Sequence, residues 1–224
     1  MQLLNMADLC TAVIINYQTP DLTVIAIRLV REYYPGLPIL LIDNGSRDDS
    51  RAILESVSTG MTGPVKTIFN ASNIHHGPAM DLAVHSVASP YILFLDSDCQ
   101  VRRGGFLEKM ISQMAESANY YAVGKKIFMD RRGFDISERP GAIPYIRPIC
   151  MLLRREYYLA LPPFRHHGAP CLENMKEAAR RGLGLLDFPI ADFVDHLGRG
   201  TAGRYGYQLG WRGKMNHLLH KLGL

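Results

Sequence analysis

Residues 11–98 alternate short apolar runs with polar turns and helix-patterned segments. Thr11–Ile15 is β-branched and ends in Asn16-Tyr17-Gln18. Thr19-Pro20 then offers a cap followed by proline in the first helical turn, which predicts a helix over Asp21–Tyr33. The same pattern recurs three times. Pro38–Ile42 ends in Asp43-Asn44-Gly45-Ser46 ahead of a helix near Asp48–Val57. Val65–Phe69 leads through Asn70–Gly77 into a helix opened by Pro78, and Tyr91–Leu95 ends in Asp96-Ser97-Asp98. Apolar strands buried on both faces and separated by helices predict an α/β fold, with a doubly wound, mostly parallel central sheet.

The second half is patterned less regularly. A helix is predicted over Gly104–Glu116, a strand over Tyr120–Phe128, and a charged hairpin or loop over Asp130–Gly141. Ile149–Leu153 is apolar, Arg154–Leu161 reads as a short helix, and Leu172–Arg181 as a longer one. Leu185–Ile190 reads as a strand, His196–Thr201 as a glycine-rich turn, and Tyr207–Leu222 as a terminal helix anchored by Trp211, Leu218, Leu219 and Leu222. No repeat or linker divides the chain. The expectation is a single domain over 1–224, with a nucleotide-binding half at about 11–107 and an acceptor-side, metal-completing half at about 108–224.

An open parallel sheet places its ligand crevice beyond the carboxyl ends of its strands. Asn16, Tyr17, Asp43, His75, His76, Asp96 and Asp98 all fall there. The glycine-rich signatures of a dinucleotide fold and of a P-loop are both missing, which disfavours those two sites.

Composition narrows the class further. The chain has 224 residues, 47% hydrophobic and 21% charged, with mean hydropathy −0.03, as in ordinary globular proteins. No apolar run reaches the roughly 18 residues of a membrane span. Met1–Cys10 has no basic residue ahead of its leucines, so no secretory signal is expected. A cytoplasmic protein, at most peripheral at a membrane, is the expectation. Cys10, Cys99, Cys150 and Cys171 form no CxxC pair, which predicts buried thiols rather than a zinc cluster. A net charge of +4 is too small to imply nucleic acid as a partner. From Gly198 to Leu224, however, five basic residues and no acidic one occur, a composition suited to phosphates or an anionic surface.

The sharpest chemistry is Asp96-Ser97-Asp98. Two carboxylates two residues apart, just past a buried strand, can converge on one hard cation such as Mg²⁺ or Mn²⁺. Such a cation neutralises charge on a departing diphosphate.

Four ordered segments then resemble one family: Ala12–Gln18 (AVIINYQ), Leu41–Ser50 (LIDNGSRDDS), Asn73–Asp81 (NIHHGPAMD) and Tyr91–Asp98 (YILFLDSD). Their order and spacing are similar to those of family 2 glycosyltransferases of GT-A fold. The likeness continues more loosely through Met151–Phe164 and Phe193–Thr201. It implies a nucleotide-sugar donor (a UDP- or GDP-sugar), a Mn²⁺ or Mg²⁺ cofactor, inversion at the transferred carbon, and a glycan, lipid-linked or protein acceptor. Carried over by position, Asn16 and Tyr17 border the nucleobase, and Asp43 contacts base or ribose. His76 and Gly77 lie along the nucleotide. Asp96 faces the ribose and metal, with Ser97 beside it in the donor site; Asp98 ligates the metal, His196 completes the metal site or touches the diphosphate, and Arg199 and Thr201 meet the diphosphate.

The general base departs from the family pattern. A Glu-Asp pair is expected at the start of a helix. Counting forward from Pro163-Phe164 reaches Glu173-Asn174, whereas counting back from Gly182 reaches Pro170-Cys171. Glu173 is the candidate base, since a carboxylate commonly deprotonates an acceptor hydroxyl. His166 and His167 are further candidates. A nucleotidyltransferase is disfavoured because Asn16–Pro20 has no glycine, arginine or lysine. A protein of the same fold that binds nucleotide or glycan without turnover stays open.

Overall fold

The computed structural model describes residues 6–165 and 168–198. A short helix α1 (Met6–Leu9) leads into β1 (Cys10–Asn16), α2 (Pro20–Tyr33), β2 (Ile39–Asp43), α3 (Ser50–Gly60), β3 (Val65–Phe69), α4 (His76–Ser86) and β4 (Tyr91–Asp96). Then follow β5 (Cys99–Val101), α5 (Phe106–Ala115), β6 (Tyr120–Met129), β7 (Asp135–Ile136), β8 (Ile143–Arg154), α6 (Arg155–Tyr158) and α7 (Leu172–Arg180). The described chain closes with β9 (Gly184–Asp187), a 3₁₀ turn at Ile190–Asp192, and β10 (Val194–His196). The terminal helix expected over Tyr207–Leu222 lies outside the described residues, as do Arg199, Thr201, His166 and His167.

The main sheet runs β3-β2-β1-β4-β8-β6-β7, with β9 alongside β6. The first four strands are mutually parallel, so Asn16, Asp43 and Asp96 emerge at one edge of the sheet. Beyond β4 the sheet turns mixed: β8 runs antiparallel to both β4 and β6, while β9 is parallel to β6. The central sheet is thus largely parallel, as expected, with its antiparallel pairings confined to β8 and β7. The reversal has a consequence for the site. Because β8 enters from the opposite direction, its early residues overhang the carboxyl end of β4.

Both faces of the sheet are covered. Along β1, Ala12 and Ile14 face one core with Ala26, Ile27 and Val30 of α2 and Phe106 and Met110 of α5. Val13 faces the other with Met80, Ala83 and Val84 of α4 and Met175 and Ala178 of α7. Alternation of side chains along a strand with both sides buried explains why these runs are continuously apolar. Helix α2 buries Thr23, Ala26, Ile27 and Val30 at helical spacing, and Pro20 occupies its first turn. Thr19 does not cap it with its side chain; its hydroxyl turns to Asn16 and Ser97. All four cysteines are buried free thiols.

Three strands were not legible as strands. The strand β8 is far longer than the apolar run Ile149–Leu153, because Pro144 interrupts its pattern and Arg147 and Pro148 do so again where the ladder to β6 shifts register. The strands β5 and β10 have three residues each, and among the described residues pair antiparallel only with one another. Leu185–Ile190 divides into the end of β9 and a 3₁₀ turn.

Candidate functional site

The crevice begins where β1 and β2 end side by side, with Asn16 opposite Asp43. Asn16 is fully buried. Its Nδ2 donates to Asp43 Oδ1 at 2.7 Å, and its Oδ1 accepts from Thr23 Oγ1 at 2.8 Å and from the Thr19 amide at 3.3 Å. Asp43 also accepts from Ser46 Oγ at 2.6 Å and from the Ser46 amide at 3.2 Å. Ser46 in turn receives the amide of Gln18, whose φ of 55° bends the loop after Tyr17. Asn16 thus holds Asp43 and the two loops in place, instead of presenting its own amide to solvent. The half-buried Tyr17 extends from this platform.

Asn44, one residue on, is a second clamp that the sequence reading missed. Its Oδ1 accepts from Asn70 Nδ2 at 2.9 Å and from the Ile74 amide at 3.3 Å, while its Nδ2 donates to Asn73 Oδ1 and to the His75 carbonyl. The bonds keep His75 at φ 70°, ψ 163°, a backbone region ordinarily left to glycine. His75 is the cap residue of α4, so this bend aims His76 at the sheet edge. Gly77 is buried for a packing reason. A Cβ there would lie 2.5 Å from the Arg165 carbonyl oxygen, so the glycine admits the backbone of the 164–165 loop.

At the end of β4, Asp96 and Asp98 meet His196 from the far end of the described chain. The ligand atoms of the three lie within 4.8 Å of one another. His196 Nε2 is 3.3 Å from Asp98 Oδ1 and 3.9 Å from Asp96 Oδ2, and His76 Nε2 is 3.8 Å from Asp96 Oδ1. The β5–β10 ladder makes the meeting possible: His196 pairs with Cys99, the residue after Asp98, and the Leu197 amide reaches the Asp98 carbonyl at 3.2 Å. An ion pair between Arg102 and Asp195 at 3.0 Å straps the same ladder. Ser97 is buried and turned toward Thr19, tying this turn to the start of α2.

The electrostatics match the geometry. Burial, reinforced by repulsion from Asp98, pushes the Asp96 carboxyl up to about 7. The hydrogen bond with Asp98 raises the His196 imidazole above its ordinary value. Burial lowers His76 to about 4, so its ring is neutral at pH 7. Two crowded carboxylates and an imidazole drawn toward protonation form a site short of positive charge. Oxygen ligands from two aspartates suit a hard divalent cation, and the imidazole nitrogen favours Mn²⁺ over Mg²⁺. The residues present therefore fit such an ion.

The expected site residues fall into groups. Asp96, Asp98, His196 and His76 converge; Asn16, Asp43 and Tyr17 sit beside them along the sheet edge. Glu173 lies on the exposed side of α7, with Lys176 Nζ 3.3 Å from its carboxylate. Its neighbour Asn174 is buried, accepting from the Tyr121 hydroxyl and donating to the Pro162 carbonyl, both at 2.7 Å. Cys171 is fully buried. A residue that sequence reasoning missed is Arg147 of β8. It is paired with Asp135, and its charge is close enough to oppose protonation of His196.

Comparison with known proteins agrees with this architecture. The family described as glycosyl transferase family 2 matches residues 11–170. No curated protein sequence matches the chain. Among solved structures, the mannosyltransferase PcManGT from Pyrobaculum calidifontis, in complex with GDP-Man and Mn²⁺, is similar at TM-score 0.63 and 12% identity, over 80% of this chain and 54% of that one. GalNAc-T7 with UDP, GalNAc and Mn²⁺ is similar at TM-score 0.67 and 14% identity, over 94% of this chain and 47% of that one. TarS 1–349 from S. aureus is similar at TM-score 0.55 and 10% identity, over 83% and 59%. The chain thus spans only about half the length of these proteins, and at such identities the likeness is one of fold: the GT-A arrangement.

Proposed function

Since the chain belongs to glycosyl transferase family 2, we propose that it transfers a sugar from a nucleoside-diphosphate donor to an acceptor hydroxyl with the aid of a divalent cation. The observation that carries this reading is the convergence of Asp96, Asp98 and His196 at the carboxyl end of β4. When bound there, Mn²⁺ or Mg²⁺ supplies charge neutralisation for the departing diphosphate.

The chain's own residues do the rest. Asp43, fixed by Asn16 and Ser46, selects the nucleoside at the β1–β2 end, with Tyr17 beside it. Asp96 and Asp98 hold the cation and His196 completes its shell, after giving up the proton that its bond with Asp98 favours. His76, neutral at pH 7, borders Asp96 without adding a charge. Arg199 and Thr201, just past His196 in the sequence, extend this reading to the diphosphate. Glu173 deprotonates the acceptor hydroxyl for in-line attack, with inversion at the transferred carbon. UDP- and GDP-sugars are the donor classes, with a PcManGT complex holding GDP-Man and a GalNAc-T7 complex holding UDP. The acceptor is a hydroxyl of a glycan, a lipid-linked sugar or a protein. No described helix is long and apolar enough to cross a membrane, and the basic sequence after Gly198 suits peripheral contact with one from the cytoplasmic side.

A second reading is binding without turnover. It is favoured by Pro170-Cys171 and Asn174 standing where the family pattern has its acidic pair, with Glu173 held by Lys176. One experiment separates the two. UDP- and GDP-sugars are incubated with the protein and Mn²⁺, nucleotide binding is followed by thermal shift, and nucleoside diphosphate release is assayed with an acceptor panel. Binding with release supports the transferase. Binding without release across donors and acceptors supports the second reading, and no binding to any nucleotide overturns both.

A further inference from the structure

The turn that carries Asp96 and Asp98 is roofed by a strand from the other half of the sheet. Cys150 of β8 pairs with Leu95 of β4, the residue before Asp96. The strands are antiparallel, so residues 147–149 continue past the end of β4 and run alongside the Asp96–Asp98 turn. Two contacts register this overlap: the Cys99 thiol donates to the Ile149 carbonyl at 3.2 Å, and Pro148 lines one pocket with His76 and Asp96. Arg147, next to Pro148, therefore belongs to the stretch of β8 that runs past the carboxylate turn. Its charge is felt at His196.

Among the described residues its side chain pairs with Asp135 of β7, at the outer end of the sheet. Both side chains are well exposed, at 41% and 54%. An exposed pair of this kind contributes little to stability and exchanges readily for a better anion. A diphosphate is such an anion, because a guanidinium engages phosphate oxygens with two parallel hydrogen bonds.

We propose that Arg147 is a diphosphate-binding residue of the donor site and that Asp135 is its resting partner, exchanged for the donor's phosphates on binding. The proposal rests on the nucleotide-sugar reading above. It assigns the strand β8 a part in donor recognition, so the second half of the sheet contributes to the nucleotide site as well as to the acceptor side.

The test is calorimetric titration of UDP and GDP at saturating Mn²⁺, with uridine and guanosine measured by ligand-observed NMR. Wild type, Arg147→Gln, Arg147→Lys and Asp135→Asn are compared, each checked for folding by circular dichroism. Loss of a charged hydrogen-bonding group predicts that Arg147→Gln weakens the preferred diphosphate on the order of tenfold or more. Nucleoside affinity should stay within twofold. Arg147→Lys should recover part of the loss, and Asp135→Asn should tighten diphosphate binding about two- to fivefold. Unchanged diphosphate affinity in Arg147→Gln overturns the proposal while leaving the donor reading intact. An equal loss of nucleoside and diphosphate affinity overturns it too, since the effect is then not on the phosphates. Diphosphate affinity in Asp135→Asn no tighter than wild type removes Asp135 as the resting partner. A wild type that binds no nucleoside diphosphate overturns the donor reading, and this proposal with it.

Discussion

His196 Nε2 lies 3.3 Å from Asp98 Oδ1, although the two residues come from distant parts of the chain. The contact is made by two three-residue strands that pair with nothing else among the described residues. Every expectation about metal and donor turns on whether this meeting serves a cation.

Asp98→Ala should abolish Mn²⁺-dependent nucleotide binding. In wild type, a nucleoside diphosphate at 100 times its Kd adds about 2.7 kcal/mol. For a chain of this size that is a rise in Tm of roughly 5–10 °C. The variant should show no rise in the same thermal-shift measurement. Its unliganded Tm should stay near that of wild type, because one of two repelling carboxylates has been removed.

The same crowding sets a pH dependence. The Asp96 carboxyl sits at about 7 in the folded protein, against an ordinary 3.8, and His196 is raised as well. Both groups hold their protons more tightly folded than unfolded. Their contribution to stability is full at about pH 4 and is lost as pH rises to about 7 for Asp96, and through a value above 6.5 for His196. Without metal, Tm should therefore fall across this window, and Asp96→Asn should flatten the fall. Cation binding displaces these protons, so stabilisation by Mn²⁺ should grow over the same range. Thermal melts from pH 5 to 8, with and without Mn²⁺, check both signs.

Asn16→Ala tests the platform beneath the nucleoside site. It would strip Asp43 of one buried donor and leave Thr19 and Thr23 without their shared acceptor. Leaving buried polar groups unpaired costs about 1–3 kcal/mol. The expected result is a lower urea midpoint at an unchanged slope. A variant as stable as wild type would mean that Asn16 is no structural post.

Glu173→Gln addresses the base. Loss of general-base assistance should lower turnover by about 10²–10⁴-fold, while diphosphate affinity stays within twofold. Single-turnover product formation with calorimetric binding measures the two separately. Unchanged turnover would return Glu173 to its ion pair with Lys176 as an ordinary exposed helix residue.

Gly77 shows where motif reading and structure part. In the sequence it belongs to a segment expected to run along the nucleotide; in the fold its missing side chain admits the Arg165 backbone. A glycine allows close approach, but the chain alone does not say of what. Asn16 is similar: a polar residue at a strand end reads as a ligand contact, and only the packed neighbours Asp43, Thr19 and Thr23 reveal that its polar atoms are engaged inside the protein.

By itself the sequence determined the four parallel strands, their helices and the polar character of their shared edge. Burial on both faces demands continuous apolar runs, and chain direction alone then carries Asn16, Asp43 and Asp96 to the same side. Those are local patterns with a forced geometric outcome. Only the tertiary structure decided that β8 reverses direction and reaches past the end of β4, and that β10 delivers His196 to Asp98. The reason is physical. An interrupted strand with two prolines and an arginine has no clean period to read, and a three-residue strand has too few positions to show one. Their places are set by pairing with distant partners, and that information is spread over the whole packed domain.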